Sequence, residues 1–480
     1  MIHLDGRSLT LDAVETLASG ARCRADPAAV AGMAAAAEAV AAAARTSRVY
    51  GRTTGVGANR DQAAAVEQRP GTALLRSHAG GWGPEIAPGT VRALCGIRAN
   101  QLLAGASGAS PRLATALVGL VNGADADLPV VHAYGSVGTA DLSALATVGL
   151  TLLGERPRRG GRAAPDAGWA GGRPDQDALP LMSSSALTLA QAALGTVVLQ
   201  RLSQHAMVVY ALTHVALGGN RQAVGPVVDV VTPLPAVRRV AARVSGLLAP
   251  VPAGAAQVQD FFGLRCYPQV HGPLLAELDR LRAGLETLVN TGSENPAVLS
   301  TDPPAVAHHG GFHLAALTLW LDATAIALAA SARTGLSRLS HLLTDGGYGL
   351  PRFLGDRPGA NGLLILEYSA ASAVERLRTL AAAPALLGTA HLSAGIEDDA
   401  SQATHAAARL GEAATAYRQV LACELLAAVT ALHLRAAPLA GPLESVWQRV
   451  AGLGRIRSDH DTSDDVAKAR ALLDDETVWR

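Results

Sequence analysis

Of 480 residues only one is lysine, Lys468, in the charged stretch SDHDTSDDVAKAR near the C-terminus. No buried lysine can therefore form an imine with a carbonyl, which counts against pyridoxal-phosphate and aldolase chemistry. A Walker A loop cannot be built without its lysine either. Aromatic residues make up only 3% of the chain, while 49% is hydrophobic, mostly Ala, Leu and Val. Ala and Leu favour helices and strand-like clusters are scarce, so the expected class is all-α. The four cysteines, Cys23, Cys95, Cys266 and Cys423, show no CxxC spacing, and reduced thiols in a cytoplasmic protein are the expectation. Formal net charge is zero, with no basic surplus to recruit nucleic acid or a membrane surface. MIHLDGRSLTLDAVETLASG carries charges where the apolar core of a secretion signal would lie. Long apolar runs are few. AVAGMAAAAEAVAAAA (29–44) reads as too short and too weakly apolar for a span of about 20 residues. FHLAALTLWLDATAIALAASA is long enough, but Asp322 lies at its middle, and it reads as a buried bundle helix.

Four segments follow from composition. Residues 1–153 mix short helices with glycine-rich loops: YGRTTGVGANRD, SHAGGWGPEIAPG and GSVGTAD. Residues 154–178 (GERPRRGGRAAPDAGWAGGRPDQDA) are rich in Gly, Pro and Arg and read as an exposed loop. Residues 179–436 carry long helical patterns. One is LMSSSALTLAQAALGTVVLQRLSQHAMVVYALTHVAL, which shows no breaker. Another is GPLLAELDRLRAGLETLVNT, with apolar residues at three- and four-residue spacing. Helices this long imply a bundle with a shared core, and Ala stripes allow close approach. Residues 437–480 read as a helical segment and a charged tail, and no fixed-period repeat is present.

Several stretches could carry chemistry. In GSVGTADLSALA a tight turn feeds a helix, and Asp141 stands where an N-cap belongs. A loop entering a buried helix N-terminus suits an electrophile or an anion. Tyr50 precedes a glycine-rich loop, where Arg52 or a helix end could lower its pKa. Arg265 lies among apolar residues in FFGLRCYP and needs an anionic partner, a structural carboxylate or a substrate. Glu397-Asp398-Asp399 could be an acid–base group, a metal site or a solvated turn. His308, His309 and His313 invite a zinc reading, but Gly310-Gly311 breaks any helix that would align them and no Cys or acidic ligand stands close; no metal site is expected.

These residues, taken in order, resemble the histidine and aromatic amino-acid ammonia-lyases. VYGRTTGVGANRD resembles the family's Tyr-loop. RSHAGG, RANQLLAGASG and PVVHAYGSVG resemble successive active-site segments, and QDFFGLRCYPQVHG, NTGSENP, HGGFH and GIEDD its later signatures. The resemblance implies a long central helix bundle of the fumarase/aspartase-like kind. It also implies a homotetramer whose active sites are assembled from several subunits. It identifies Tyr50 with the catalytic base and Arg265 with the arginine that holds the substrate carboxylate, where a planar guanidinium suits a planar anion. His78, Gln259, Phe312 and Glu397 match pocket positions, Glu397 also being a catalytic candidate, and Asn295 matches the asparagine of the family's Asp-Asn-Pro.

The family's electrophile, a methylidene-imidazolone, forms when an Ala-Ser-Gly tripeptide of the backbone cyclises and loses water. Between Gly138 and Asp141 this chain has only Thr139 and Ala140. One residue is missing, with the serine that supplies the methylidene carbon and the glycine whose nitrogen closes the ring. The supporting asparagine falls at Ser183 and the tyrosine before the arginine at Phe262. The electrophile and its attendants are lost while the base and the carboxylate clamp remain. The expected activity is a lyase or cyclase lacking the prosthetic group and any other cofactor, acting on a carboxylate-bearing, amino-acid-like substrate in specialised biosynthesis. A non-catalytic ligand-binding relative and an ammonia-lyase with an atypical imidazolone at Thr139 are the alternatives.

Overall fold

A computed structural model of the chain describes residues 1–63, 70–172, 174–252, 254–299, 305–344, 348–383, 391–454 and 459–479. Helix dominates, as the Ala/Leu content requires. The described strands form three two-stranded sheets: Ile2–Leu4 parallel to Cys23–Ala25, and Trp82–Glu85 and Ala297–Leu299 antiparallel to His132–Tyr134 and Ala305–Ala307. The chain divides into two compact units. The first comprises Met1–Val197, Leu281–Leu321 and Ala383–Ala408; the second comprises Val198–Arg280, Asp322–Ala382 and Arg409–Arg480. Four of the five divisions fall within the long helices Ala186–Leu217, Tyr267–Leu288, Ala315–Leu343 and Ala403–Arg435; the fifth, at 382/383, follows the helix Ile365–Leu380.

Three readings from sequence change. The run through LMSSSALTLAQ is broken at Ser183–Ser185, where the helix Pro174–Met182 bends by 43° into Ala186–Leu217. The Ser184 N–H turns back to the Met182 carbonyl at 2.7 Å and its own carbonyl accepts from Asp141 N–H at 2.8 Å, so the helical ladder is interrupted. The stretch 154–178 is not merely an exposed loop. Trp169 is fully buried in a short helix, Ala167–Ala170, and donates from Nε1 to the buried Asp177 at 2.8 Å. Lastly, the helix Pro27–Thr46 extends the alanine run to 20 residues, so by length and composition it could cross a membrane, as could Ala315–Leu343. Asp26 caps the former, its Oδ1 accepting from Ala28 and Ala29 N–H.

In the first unit the helix Pro88–Leu103 is buried along almost its whole length. Its Arg98 is fully buried and pairs with Glu294 at 2.7 Å, also donating to the carbonyls of Leu181 and Pro180 and to Gln101 Oε1. In the second unit Arg338 meets Glu424 through two parallel bonds of 2.6 and 2.8 Å, with Thr213 Oγ1 donating to the same carboxylate at 3.1 Å. The guanidinium also lies over the rings of Tyr210 and Tyr267, 5.4 and 5.0 Å from their centroids. All four cysteines are free, and burial pushes the Cys23 and Cys423 thiols up to about 11 and that of Cys95 to about 12.

Two measurements test this packing. Replacing Glu424 with Ala strands a buried guanidinium and is expected to lower unfolding free energy by about 3–5 kcal/mol, read by denaturant titration. In the second unit, burial holds His205, His214 and His271 at about 4, below the ordinary 6.5. The unfolded chain then binds protons that the folded chain refuses. The stability from these sites is complete above pH ~6.5 and is lost as pH falls toward ~4. The melting midpoint should drop through that window, and less steeply in a His271→Gln variant.

Candidate active site

The loop from Gly135 to Asp141 is fixed by hydrogen bonds at nearly every residue. Ser136 Oγ donates to Ala140 O at 3.0 Å and accepts from Gly138 N–H at 3.2 Å. Gly138 O accepts from Ser401 Oγ at 2.7 Å, and Val137 O accepts from Gln402 N–H at 3.0 Å. Gly138 has φ +93, and a Cβ there would lie 2.3 Å from Ser401 Oγ and 2.8 Å from Gln402 N, so only glycine fits. Ala140 has φ +82, a left-handed backbone unusual for a residue with a Cβ.

Asp141 does precede the first residue of the helix Leu142–Leu152, but its carboxylate does not cap that helix. It accepts instead from Thr188 N–H at 2.8 Å and Thr188 Oγ1 at 2.9 Å, serving the N-terminal turn of Ala186–Leu217. Burial pushes the Asp141 carboxyl up, and the bonds from Thr188, Ser136 and Thr404 pull it back.

The residues of this loop do not match what an imidazolone requires. Neither Thr139 nor Ala140 is the serine or the glycine of the tripeptide, and Gly138 cannot take a side chain.

Beside the loop, a cavity of about 260 Å³ is lined by Tyr50, Gly57, His78, Leu142, Met182, Ser393 and Glu397, among others. The structure thus brings together Tyr50, His78 and Glu397. Tyr50 Oη accepts from Gly57 N–H at 2.7 Å. Its own proton has no acceptor among the described residues. The sequence expectation of a lowered pKa is reversed: burial pushes the phenol up and Glu397 adds to this, against the Gly57 N–H and Arg60. Arg52 is engaged elsewhere, donating to Gly108 O at 2.7 Å. His78 Nδ1 is bonded to Leu74 O and to Ser77 Oγ, each at 2.9 Å, which leaves Nε2 for a ligand.

Ser183 and Asn295 meet directly, Ser183 Oγ accepting from Asn295 N–H at 3.1 Å. Asn295 Oδ1 accepts from His309 N–H at 3.0 Å, and His309 spends both ring nitrogens, on Glu294 O and Gly311 N–H. Phe312 is half-buried in the same segment, and His313 lies 3.2 Å from the exposed Asp399. His308, considered in the sequence only as a metal ligand, is at the Tyr50 loop instead, its Nε2 accepting from Tyr50 N–H at 3.4 Å.

Gln259, Phe262 and Arg265 belong to the second unit and form their own group. The Arg265 guanidinium lies 4.6 Å from the Phe262 ring centroid, and the Gln259 amide faces it. Among the described residues no carboxylate pairs with Arg265, and its buried Nε has no partner.

Ser393, Gly57 and His308 escaped notice as site residues. The first stands four residues before Glu397 in HLSAGIEDD, a spacing that carries no chemical signal until the turn is seen.

Comparison with known proteins identifies the family and the fold. The aromatic amino acid lyase family matches residues 9–451. Histidine ammonia-lyase of Streptomyces coelicolor is 32% identical, covering 96% of this chain and 94% of its own. The crystal structure of histidine ammonia-lyase from Trypanosoma cruzi superposes with a TM-score of 0.88 at 26% identity, over 100% of this chain and 94% of that one. The ergothionase of Treponema denticola, an ergothioneine-degrading enzyme, has the same fold, with a TM-score of 0.89 at 22% identity over 100% and 99% of the two chains. The chain belongs to the aromatic amino acid lyase family.

Proposed function

We propose that this protein is a lyase or cyclase that works without the methylidene-imidazolone, on a carboxylate-bearing, amino-acid-like substrate, in specialised biosynthesis. The observation that carries the reading is the pairing of two features. The loop offers only Thr139 and Ala140 where the electrophile would be built, while Tyr50 and Glu397 still share a cavity beside it. Without the electrophile, expelling ammonia from an unactivated amino acid meets a high barrier. Loss of a good leaving group, addition of an amine to an unsaturated acid, or ring closure demands less.

In this reading Arg265, whose open Nε and planar fork suit a bidentate anion, is the carboxylate-holding arginine that the resemblance identifies, with Gln259 and Phe262 beside it. In the first unit His78, Ser183, Asn295 and Phe312 are the pocket residues that the resemblance names. Tyr50, kept protonated by burial, delivers its unshared proton to the leaving group or to the developing enolate. Gly57 N–H then stabilises the phenolate left behind. Glu397, on the same cavity wall, is the carboxylate placed to take a proton from the substrate carbon. We extend to this chain the homotetramer with shared active sites that the resemblance implies.

The intact mass of the purified protein is expected to equal that of the encoded chain. A mass short by two waters, or turnover of histidine, phenylalanine or tyrosine at ordinary lyase rates, overturns the reading. On a substrate found by screening carboxylates, Tyr50→Phe should lower kcat about a hundredfold or more. Arg265→Ala should act mainly on KM, by about tenfold to a hundredfold. Steady-state kinetics of both folded variants checks this.

A further inference from the structure

We propose that Ser393 is a positioning residue for Tyr50: by holding the Ala58 amide it fixes the adjoining Gly57 N–H against the phenolic oxygen, making this backbone turn a clamp for the phenolate. The inference rests on the reading of Tyr50 as the proton-transfer group.

The geometry is a short chain of bonds within the first unit. Ala58 N–H donates to Ser393 Oγ at 2.9 Å, and its neighbour Gly57 N–H donates to Tyr50 Oη at 2.7 Å. Successive amides of one turn thus point at two oxygens, one a fixed hydroxyl and the other the reacting phenol. An amide aimed at an oxygen that gains charge is worth more than one bonded to a neutral group, provided that it is held in place beforehand. Ser393 does the holding.

The fit is close. Gly57 has φ +55, and a Cβ on it would lie 2.3 Å from Ser393 Oγ, so hydroxyl and glycine must be matched. Ser393 and Ala394 both have left-handed backbones, φ +53 and +55, without being glycine. Such a conformation is unfavourable for a residue with a Cβ and persists only where surroundings enforce it. The enforcement is visible: Leu392 N–H donates to Glu397 O at 2.9 Å and Glu397 N–H returns to Leu392 O at 3.2 Å. The turn that aims Ser393 at the Tyr-loop is therefore the turn that carries Glu397 into the cavity. Displacing one displaces the other.

The charged and titratable groups facing the phenol come from every side. Glu397 stands on the Ser393 turn, Arg60 on the Tyr-loop, His78 on the cavity wall, and the His308 ring is edge-on with centroids 6.5 Å apart. Among the described residues only Gly57 N–H touches the phenolic oxygen directly, so its placement is what Ser393 can control.

The test places 3-fluorotyrosine at position 50 of the full-length protein, where its lower intrinsic pKa brings the titration into the range of the folded state. The midpoint is followed by fluorine NMR. Both Ser393→Ala and Ser393→Gly are expected to raise that midpoint by about one pH unit, the effect of loosening one hydrogen bond to a charged oxygen. Glycine suits φ +53, so the melting temperature of Ser393→Gly should be unchanged or higher. A shift with no loss of stability separates positioning from general support. Midpoints that stay within about 0.2 pH units of the parent in both variants, or that move only where the melting temperature falls, overturn the proposal. The titration needs no substrate. Full activity in Tyr50→Phe would therefore sink the catalytic reading of Tyr50 and leave the clamp measurement standing.

Discussion

One carboxylate out of contact with water organises the first unit. Asp141 ends the glycine-rich loop, begins the helix Leu142–Leu152, and spends its oxygens on the first turn of another helix, Ala186–Leu217, through Thr188. Thr404, at the start of Ala403–Arg435, reaches Thr188 Oγ1 at 2.8 Å. Three helix beginnings therefore share one anion, each presenting the positive end of its dipole toward it. Such an arrangement makes the loop rigid whatever chemistry stands on it. That is why residues 135–141 are held taut around Thr139 and Ala140.

Much of this was legible beforehand, and the reasons differ by feature. The long helices were readable because Ala and Leu recur without strand signals over thirty residues, as they do along Ala403–Arg435. The break at Ser183–Ser185 was not, since serine is tolerated within helices. The interruption comes from Asp141 and from tertiary bonds that no local pattern encodes. The alanine run at 29–44 is short by itself, yet a proline suits the first turn at Pro27 and the helix continues through Arg45 and Thr46. Trp169 looked like one residue of a polar loop until Asp177 gave its indole a buried partner.

The site was legible as a set of motifs and illegible as an electrostatic environment. Tyr50 and Glu397 are 347 positions apart and meet at one cavity, as the resemblance implied. The direction of the phenol's pKa could not be read from Arg52 two residues away. Arg52 turns to the Gly108 carbonyl, and burial with Glu397 decides the outcome. Asn295 and His309, by contrast, are consumed in bracing one another, which no residue type advertises. Arg265 remains the least satisfied cation among the named site residues, its Nε dry and unpaired.

The missing Cβ of Gly138 also bears on how this loop could change over evolutionary time. Its carbonyl is held by Ser401 and its α-carbon sits against the Gln402 amide, so the residue occupies a slot that only glycine enters. Point substitutions at Thr139 and Ala140 could supply a serine and a glycine. They could not supply the third residue, and Gly138 cannot be converted to stand in for it. Placing three residues between Gly138 and Asp141 would take an inserted codon, and the longer loop would have to close upon Ser401 and Asp141 in the same step. No single-nucleotide path lengthens this loop.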